Sequence, residues 1–173
     1  EVIKIENTSV GDYTRIVNTR RGGVSAAFIN NNRNKKSICI DLKSISGKDI
    51  FFQLVKTADV VIQNFRPGVM ERLGIGYTHV IKVNPKIIYT SISGFGFSGP
   101  YSKKPVYDPL IQALSGLTTV QAGSDEERPR LVRTILPDKL TGLATAQAVT
   151  SALFHKARTG NGQEIKISML DTV

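Results

Sequence analysis

Cysteine is almost missing from this chain: Cys39 stands alone in the apolar run SICIDL. One thiol cannot build a disulfide framework, and no C-x-x-C pair is present for metal or redox chemistry. Histidine is nearly as scarce, with only His79 and His155, far apart in sequence. A zinc site of the usual nitrogen and sulfur ligands is therefore hard to assemble, and we expect no metal. No apolar run is long enough to span a bilayer, so no membrane partner is expected. An initiator methionine is lacking too. The chain opens on EVIKIE, already inside a strand pattern, and stops at Val173 directly after EIKISML. It reads as part of a longer protein. The expected location is cytoplasmic, with mitochondrial or peroxisomal placement left open by the missing N-terminus.

What is in excess is positive charge. The 23 Lys and Arg residues outnumber the 14 Asp and Glu, for a net charge of +9. Such a balance suits a polyanionic partner: nucleic acid, an acidic membrane or a phosphate-rich cofactor. The cations are scattered from Arg15 to Lys166, however, and form no basic arm. Ordinary solubility is the plainer reading, and no nucleic-acid partner is expected. With 173 residues and 40% hydrophobic content, the chain has the makings of a globular α/β domain with a substantial core.

Residues 2–5 read as a strand, followed by a polar, basic stretch to Lys36 expected to be loop with some short structure. Residues 37–42 read as a second strand. Over residues 47–58 the apolar positions Ile50, Phe51, Leu54, Val55 and Ala58 fall at helical spacing, with Ser46 as the expected N-cap. DVVIQ is a continuous apolar strand of the kind buried in parallel sheets. Short helices are expected after Pro67 and over residues 78–83, and a strand over residues 87–93. An apolar-rich helix is expected over residues 108–120, then a short strand-like LVRTIL and a long helix over residues 137–158, stopped in the turn RTGNGQ. Strands alternating with helices imply a parallel sheet.

The stretch SGFGFSGPYSKKP contains a complete G-x-G-x-x-G in Gly94, Gly96 and Gly99. A dinucleotide site needs a helix to start at the loop, because the pyrophosphate sits on its N-terminal N–H groups. Pro100 and Pro105 break any such helix. The acidic residue expected about twenty positions on is also missing. What remains is a backbone without side chains at the end of a strand, where an extended ligand can approach closely.

Read in order, EVIKIE, GDYTR, NRNKKSICIDLK, ADVVIQNFRPGVMERLGIGY, NPKIIYTSISGFGFSGPY, YDPLIQALSGL, DKLTGLATAQAV and ARTGNGQEIKISMLD resemble the class III CoA-transferase family. This group contains formyl-CoA and carnitine CoA-transferases together with α-methylacyl-CoA racemase, and the motifs cover nearly the whole chain. The resemblance implies a Rossmann-like parallel sheet with flanking helices, part of the large domain of such an enzyme. Residues 1–173 would be a single incomplete α/β large domain, without the family's N-terminal strand and helix or its C-terminal small domain. It further implies an interlocked homodimer for the full-length protein.

The resemblance places the catalytic aspartate at Asp138. The residues alone admit a plainer role, since an acidic residue after Pro137 in a helix's first turn stabilises the helix. The two roles are compatible: the helix N–H groups would hold the carboxylate ionised for nucleophilic work. In the family's chemistry this carboxylate passes through a mixed anhydride to an aspartyl-CoA thioester. No permanently bound cofactor is implied, with coenzyme A entering as acyl-CoA substrate and a small carboxylic acid as acceptor. Family binding positions map onto Ile40, Lys43, Asn64, Phe65 and Arg72, with Gly94, Phe95, Gly96 and Tyr107 also at the substrate. Lys43 and Arg72 suit phosphates and Phe65 an apolar contact. Solvated charge and core packing are the ordinary alternatives for these residues. We expect the backbone of the glycine loop and helix-terminal N–H groups to bind developing oxyanions.

Two departures stand out. Formyl-CoA transferase has an arginine where this chain has Asn7 and a lysine where it has Pro105, so phosphate contacts are expected to move to Lys103, Lys104 or Arg33. The racemase branch places a histidine at the position of Tyr107. A phenol with a pKa of about 10 is a poor base for α-proton abstraction at neutral pH, which favours the transferase. The racemase, and a non-catalytic CoA-binding or basic module, remain as alternatives.

Overall fold

The computed structural model describes residues 1–17 and 20–173, and the chain divides into two compact units, Glu1–Leu54 and Val55–Val173. The first begins with β1 (Val2–Glu6) and a 3-10 turn (Tyr13–Arg15). A short hairpin of β2 (Arg20–Arg21) and β3 (Val24–Ser25) leads to α1 (Ala26–Asn32), β4 (Lys35–Cys39) and α2 (Ile45–Thr57), which runs on past the end of the unit. β1 and β4 pair in parallel, with Val2 opposite Lys35 and Glu6 opposite Cys39. Parallel neighbours need a crossover, and the hairpin and α1 supply it.

Local chemistry explains where this unit departs from expectation. α1 lies within the stretch expected to be mostly loop, because Ser25 caps it: its Oγ accepts from the Phe28 N–H at 3.0 Å. The second strand starts two residues and ends three residues earlier than expected. Ile40 N–H still donates to Glu6 O at 3.1 Å, and Asp41 then turns the chain by accepting from Ser44 N–H and Lys43 N–H. α2 starts before Ser46, and Ser44 is its cap, with Oγ accepting from Gly47 N–H at 3.0 Å.

Glu6 is the buried charge of this unit, 4% exposed. Arg15 donates to it twice, Nε to Oε2 at 2.8 Å and Nη2 to Oε1 at 2.7 Å; Ser37 Oγ and the Asp12 N–H donate as well. The Arg15 guanidinium also stacks 4.0 Å above the Phe28 ring. Hydrogen bonding from Arg15 holds the Glu6 carboxyl down at about 2, with burial opposing.

The second unit contains β5 (Val60–Gln63), α3 (Val69–Leu73), α4 (Tyr77–Val83), β6 (Ile88–Ser93), α5 (Asp108–Leu114), α6 (Leu117–Ala122), α7 (Leu136–Thr159) and β7 (Gln163–Ser168), ending in a 3-10 turn (Leu170–Thr172). Its three strands are all parallel, in the order β5-β6-β7. β6 is central, and Ile88, Tyr89 and Thr90 are fully buried in it. Ile75, Val80, Ile87, Ile111 and Val55 complete the core, while α7 packs on β6 and β7. The protein is thus mixed α/β, with parallel strands flanked by helices.

Two expectations fail here. The helix expected over residues 108–120 is broken into α5 and α6, because Gly116 adopts a left-handed φ of 84° that ends one helix and opens the next. LVRTIL forms no strand: Val132 is bonded to the side chain of Gln112 instead of a neighbouring strand. Among the described residues no helix is long and apolar enough to cross a membrane.

Candidate active site

In a parallel sheet the loops leaving the carboxyl ends of the strands share one edge, the usual place for ligands. Here β5 leads into Asn64 and Phe65, β6 into Gly94, and β7 into the turn Leu170–Thr172. Phe65 is 46% exposed, with its N–H held by Gln63 Oε1 at 2.8 Å, and Asn64 is exposed beside it. Arg72 on α3 is exposed and folds its guanidinium back towards Gly68: a Cβ added to that glycine would lie 3.1 Å from Nη1. The structure therefore brings Arg72 to the loop that carries Asn64 and Phe65.

The loop leaving β6 is pinned on two sides. Met169 N–H donates to Ser93 O at 2.8 Å and Leu170 N–H to Gly94 O at 3.0 Å, which ties it to the end of β7. On the other side Val106 packs so closely that a Cβ on Gly94 would sit 2.0 Å from Val106 Cγ1. Gly94 is thus required by packing as much as by any ligand. Gly96 carries a left-handed φ of 80°. Phe95 packs edge-on against Tyr101, their ring centroids 5.6 Å apart. Lys104 Nζ lies 5.7 Å from the Tyr101 ring centre.

Asp138 occupies the first turn of α7 and remains partly open to solvent. Its backbone N–H donates to Asp108 Oδ2 at 3.1 Å. Asp108 opens α5 directly after Tyr107 and is 5% exposed; its Oδ1 accepts from Gln112 Nε2 at 2.6 Å. Tyr107 itself is 78% exposed. A second tie reaches the same turn of α7: Thr141 Oγ1 donates to Pro137 O at 2.7 Å and lies 3.0 Å from Thr172 Oγ1. Thr172 belongs to the turn pinned to Gly94. Through Val106, Asp108 and Thr172, the glycine loop, Tyr107 and Asp138 are held as one edge of the second unit.

The electrostatics of Asp138 differ from the expectation that its helix N-terminus dominates. Partial burial, which costs the charged form its hydration, pushes its carboxyl above the ordinary aspartate value, the charge of Asp108 pushes it further, and Lys139 pulls it back. The first turn of α7 also has few N–H groups left for an oxyanion. Pro137 has none, that of Asp138 is taken by Asp108, and that of Lys139 by Ile135 O at 3.1 Å.

Ile40 and Lys43 belong to the first unit. Ile40 is 5% exposed, a core residue whose N–H extends the pairing to β1. Lys43 is exposed in the turn before α2. Asn7, the departure noted above, organises its own turn: its Oδ1 accepts from Ser9 N–H at 2.8 Å and Ser9 Oγ–H at 2.6 Å. Arg33, Lys103 and Lys104 are exposed. Among the described residues no group of three or more His, Cys, Asp and Glu could hold a metal ion.

Sequence reasoning missed Asp108 and Gln112 as parts of the site. Their i, i+4 spacing at a helix start was visible, but the third partner lies 30 positions along the chain from Asp108.

A family model described as CoA-transferase family III matches residues 1–173. An acetyl-CoA:oxalate CoA-transferase from Acetobacter aceti is 42% identical over 98% of this chain and 43% of its own length. A succinate–glutarate CoA-transferase from Agrobacterium fabrum is 39% identical over 99% of this chain and 44% of its own. Among solved structures, a CAIB/BAIF family protein from Brucella suis superposes with a TM-score of 0.92 at 37% identity, covering 99% of this chain and 46% of that one. The chain thus spans less than half the length of these relatives. With the whole chain matched at this identity, it belongs to CoA-transferase family III.

Proposed function

We propose that the full-length protein moves CoA from an acyl-CoA donor to a carboxylic acid acceptor, with Asp138 as the nucleophile. The observation that supports this reading is the placement of Asp138: its backbone N–H is held by Asp108, and its turn of α7 is tied through Thr141 and Thr172 to the turn bonded to Gly94. The relatives named for transfer between acetyl-CoA and oxalate, or between succinate and glutarate, support the reaction class.

A carboxylate oxygen of Asp138 attacks the thioester carbonyl; the carbon–sulfur bond breaks and CoA leaves as thiolate, giving a mixed anhydride. The thiolate then attacks the aspartyl carbonyl, expelling the donor acid as carboxylate and leaving an aspartyl-CoA thioester. An acceptor carboxylate attacks that thioester, and the released thiolate attacks the new acyl carbonyl, which frees Asp138. Protons and electrons balance without water or a redox partner. Exchange of one thioester for another is nearly thermoneutral, so the protein's task is positioning and oxyanion stabilisation. The backbone of residues 94–99 is the better source of oxyanion donors, since the first turn of α7 has spent most of its own.

Ile40, Lys43, Asn64, Phe65 and Arg72 are proposed for CoA, with Arg72 and Lys43 on its phosphates. Homodimer formation by the full-length protein is part of the same proposal. The test is an exchange assay of the full-length protein with formyl-, acetyl- and succinyl-CoA against oxalate and glutarate. Appearance of the acceptor's CoA thioester, lost in Asp138→Ala, is the expected result. Exchange of deuterium at the α-carbon of a 2-methylacyl-CoA without CoA transfer would establish the racemase instead.

A further inference from the structure

Gln112 is 1% exposed, and both ends of its amide are engaged. Nε2 donates to Asp108 Oδ1 at 2.6 Å and to the carbonyls of Thr134 at 3.2 Å and Val132 at 3.4 Å, while Oε1 accepts from the Val132 N–H at 2.8 Å. The segment it grips is the coil that runs directly into α7. One side chain therefore holds the chain leading to Asp138 and, through Asp108, the backbone N–H of Asp138 itself. A buried amide with these bonds has little freedom to rotate, and its removal leaves Oδ1 of the buried Asp108 carboxylate without its donor.

We infer that Gln112 is the positioning residue of the site: it sets the orientation of the Asp138 carboxylate by fixing Asp108 on one side and residues 132–134 on the other. The inference rests on the reading of Asp138 as nucleophile. Gln112 reaches no substrate and acts only through the groups it holds. A carboxylate nucleophile must meet the thioester carbon at the attack angle, and a misplacement of about 1 Å costs on the order of 100-fold in rate.

The test uses the full-length enzyme with the donor and acceptor pair that gives turnover in the panel above. Gln112→Met removes all its polar contacts at similar volume. Asp108→Asn leaves the Gln112 bonds to residues 132–134 in place while replacing the carboxylate that accepts from the Asp138 N–H, and so separates the relay from the clamp. The expected result is a kcat lower by about 10- to 100-fold with KM for the acyl-CoA within about twofold, because binding is untouched while attack geometry is lost. The losses of Asp108→Asn and Gln112→Met should be less than additive when combined, since the two variants share the Gln112–Asp108 contact. An unchanged kcat in the folded variants, a loss confined to KM, or fully additive losses would overturn the inference. If the wild-type enzyme turns over but Asp138→Ala does so equally well, the nucleophile reading itself fails, a distinct outcome that removes the inference with it.

Discussion

In the unit Glu1–Leu54 a carboxylate, Glu6, is buried to 4% exposure, while the strand residues Val2 and Ile3 stand 52% and 45% exposed. In Val55–Val173 the deepest apolar positions are Ile75, Val80, Ile87, Ile88, Tyr89 and Ile111, each at 0%. One interior is organised by an ion pair and its hydrogen bonds, the other by apolar volume around a central strand. The second unit also buries polar groups, and Asp108, Gln112 and Thr141 form the contacts around Asp138. Polar burial without a functional partner is costly, which is why a concentration of it at one sheet edge points to a site.

The contrast breaks most sharply at Arg15. In Arg15→Met, Glu6 is left buried without its guanidinium partner, and we expect the largest loss of this set in urea unfolding, concentrated in the unit Glu1–Leu54. The same pair gives this unit its acid sensitivity. Because the folded Glu6 carboxyl lies at about 2, below the ordinary 4.5, its stabilisation is present above 4.5 and fades as pH falls from there towards 2. Hydrogen exchange at decreasing pH should show residues 1–54 opening before the β5-β6-β7 sheet; simultaneous opening would erase the distinction.

The next effect is steric. Gly94→Ala forces a methyl into Val106, with an expected cost of about 1–3 kcal/mol from overpacking. Turnover should fall together with the thermal midpoint, and a Val106→Ala companion change should restore both. Smaller still is Ile111→Val, where the loss of one buried methyl costs about 0.5–1.5 kcal/mol independent of pH. Thr90 gives the smallest change. Its hydroxyl is fully buried with no hydrogen-bond partner among the described residues, so Thr90→Val should be neutral or stabilise by up to about 1 kcal/mol in a denaturant melt.

The parts of the fold legible in the sequence were those with continuous apolar runs. β6 was read within one residue, because Ile87 to Ser93 has no competing pattern. α5 and α6 read as one helix in the sequence because apolar spacing continues across Ser115 and Gly116, and periodicity does not register a left-handed glycine. α1 is hard to read because AAFINNN ends in three asparagines, weak helix formers, and its start depends on one hydroxyl of Ser25. At the candidate site, Asp138 was legible through a family pattern and the glycine loop through its own G-x-G-x-x-G spacing. Asp108 and Gln112 were not, because their role comes from contacts with segments 20 to 30 residues downstream. The raised proton affinity of Asp138 is of the same kind, arising from packing and from a neighbour brought in by the fold.

The most direct test of the central claim is mass spectrometry of the full-length protein incubated with acyl-CoA donors and quenched during turnover, with hydroxylamine as trap. The account predicts covalent CoA, or the hydroxamate derived from it, on the peptide containing Asp138 and its absence in Asp138→Ala. Turnover without any adduct on that peptide would contradict it.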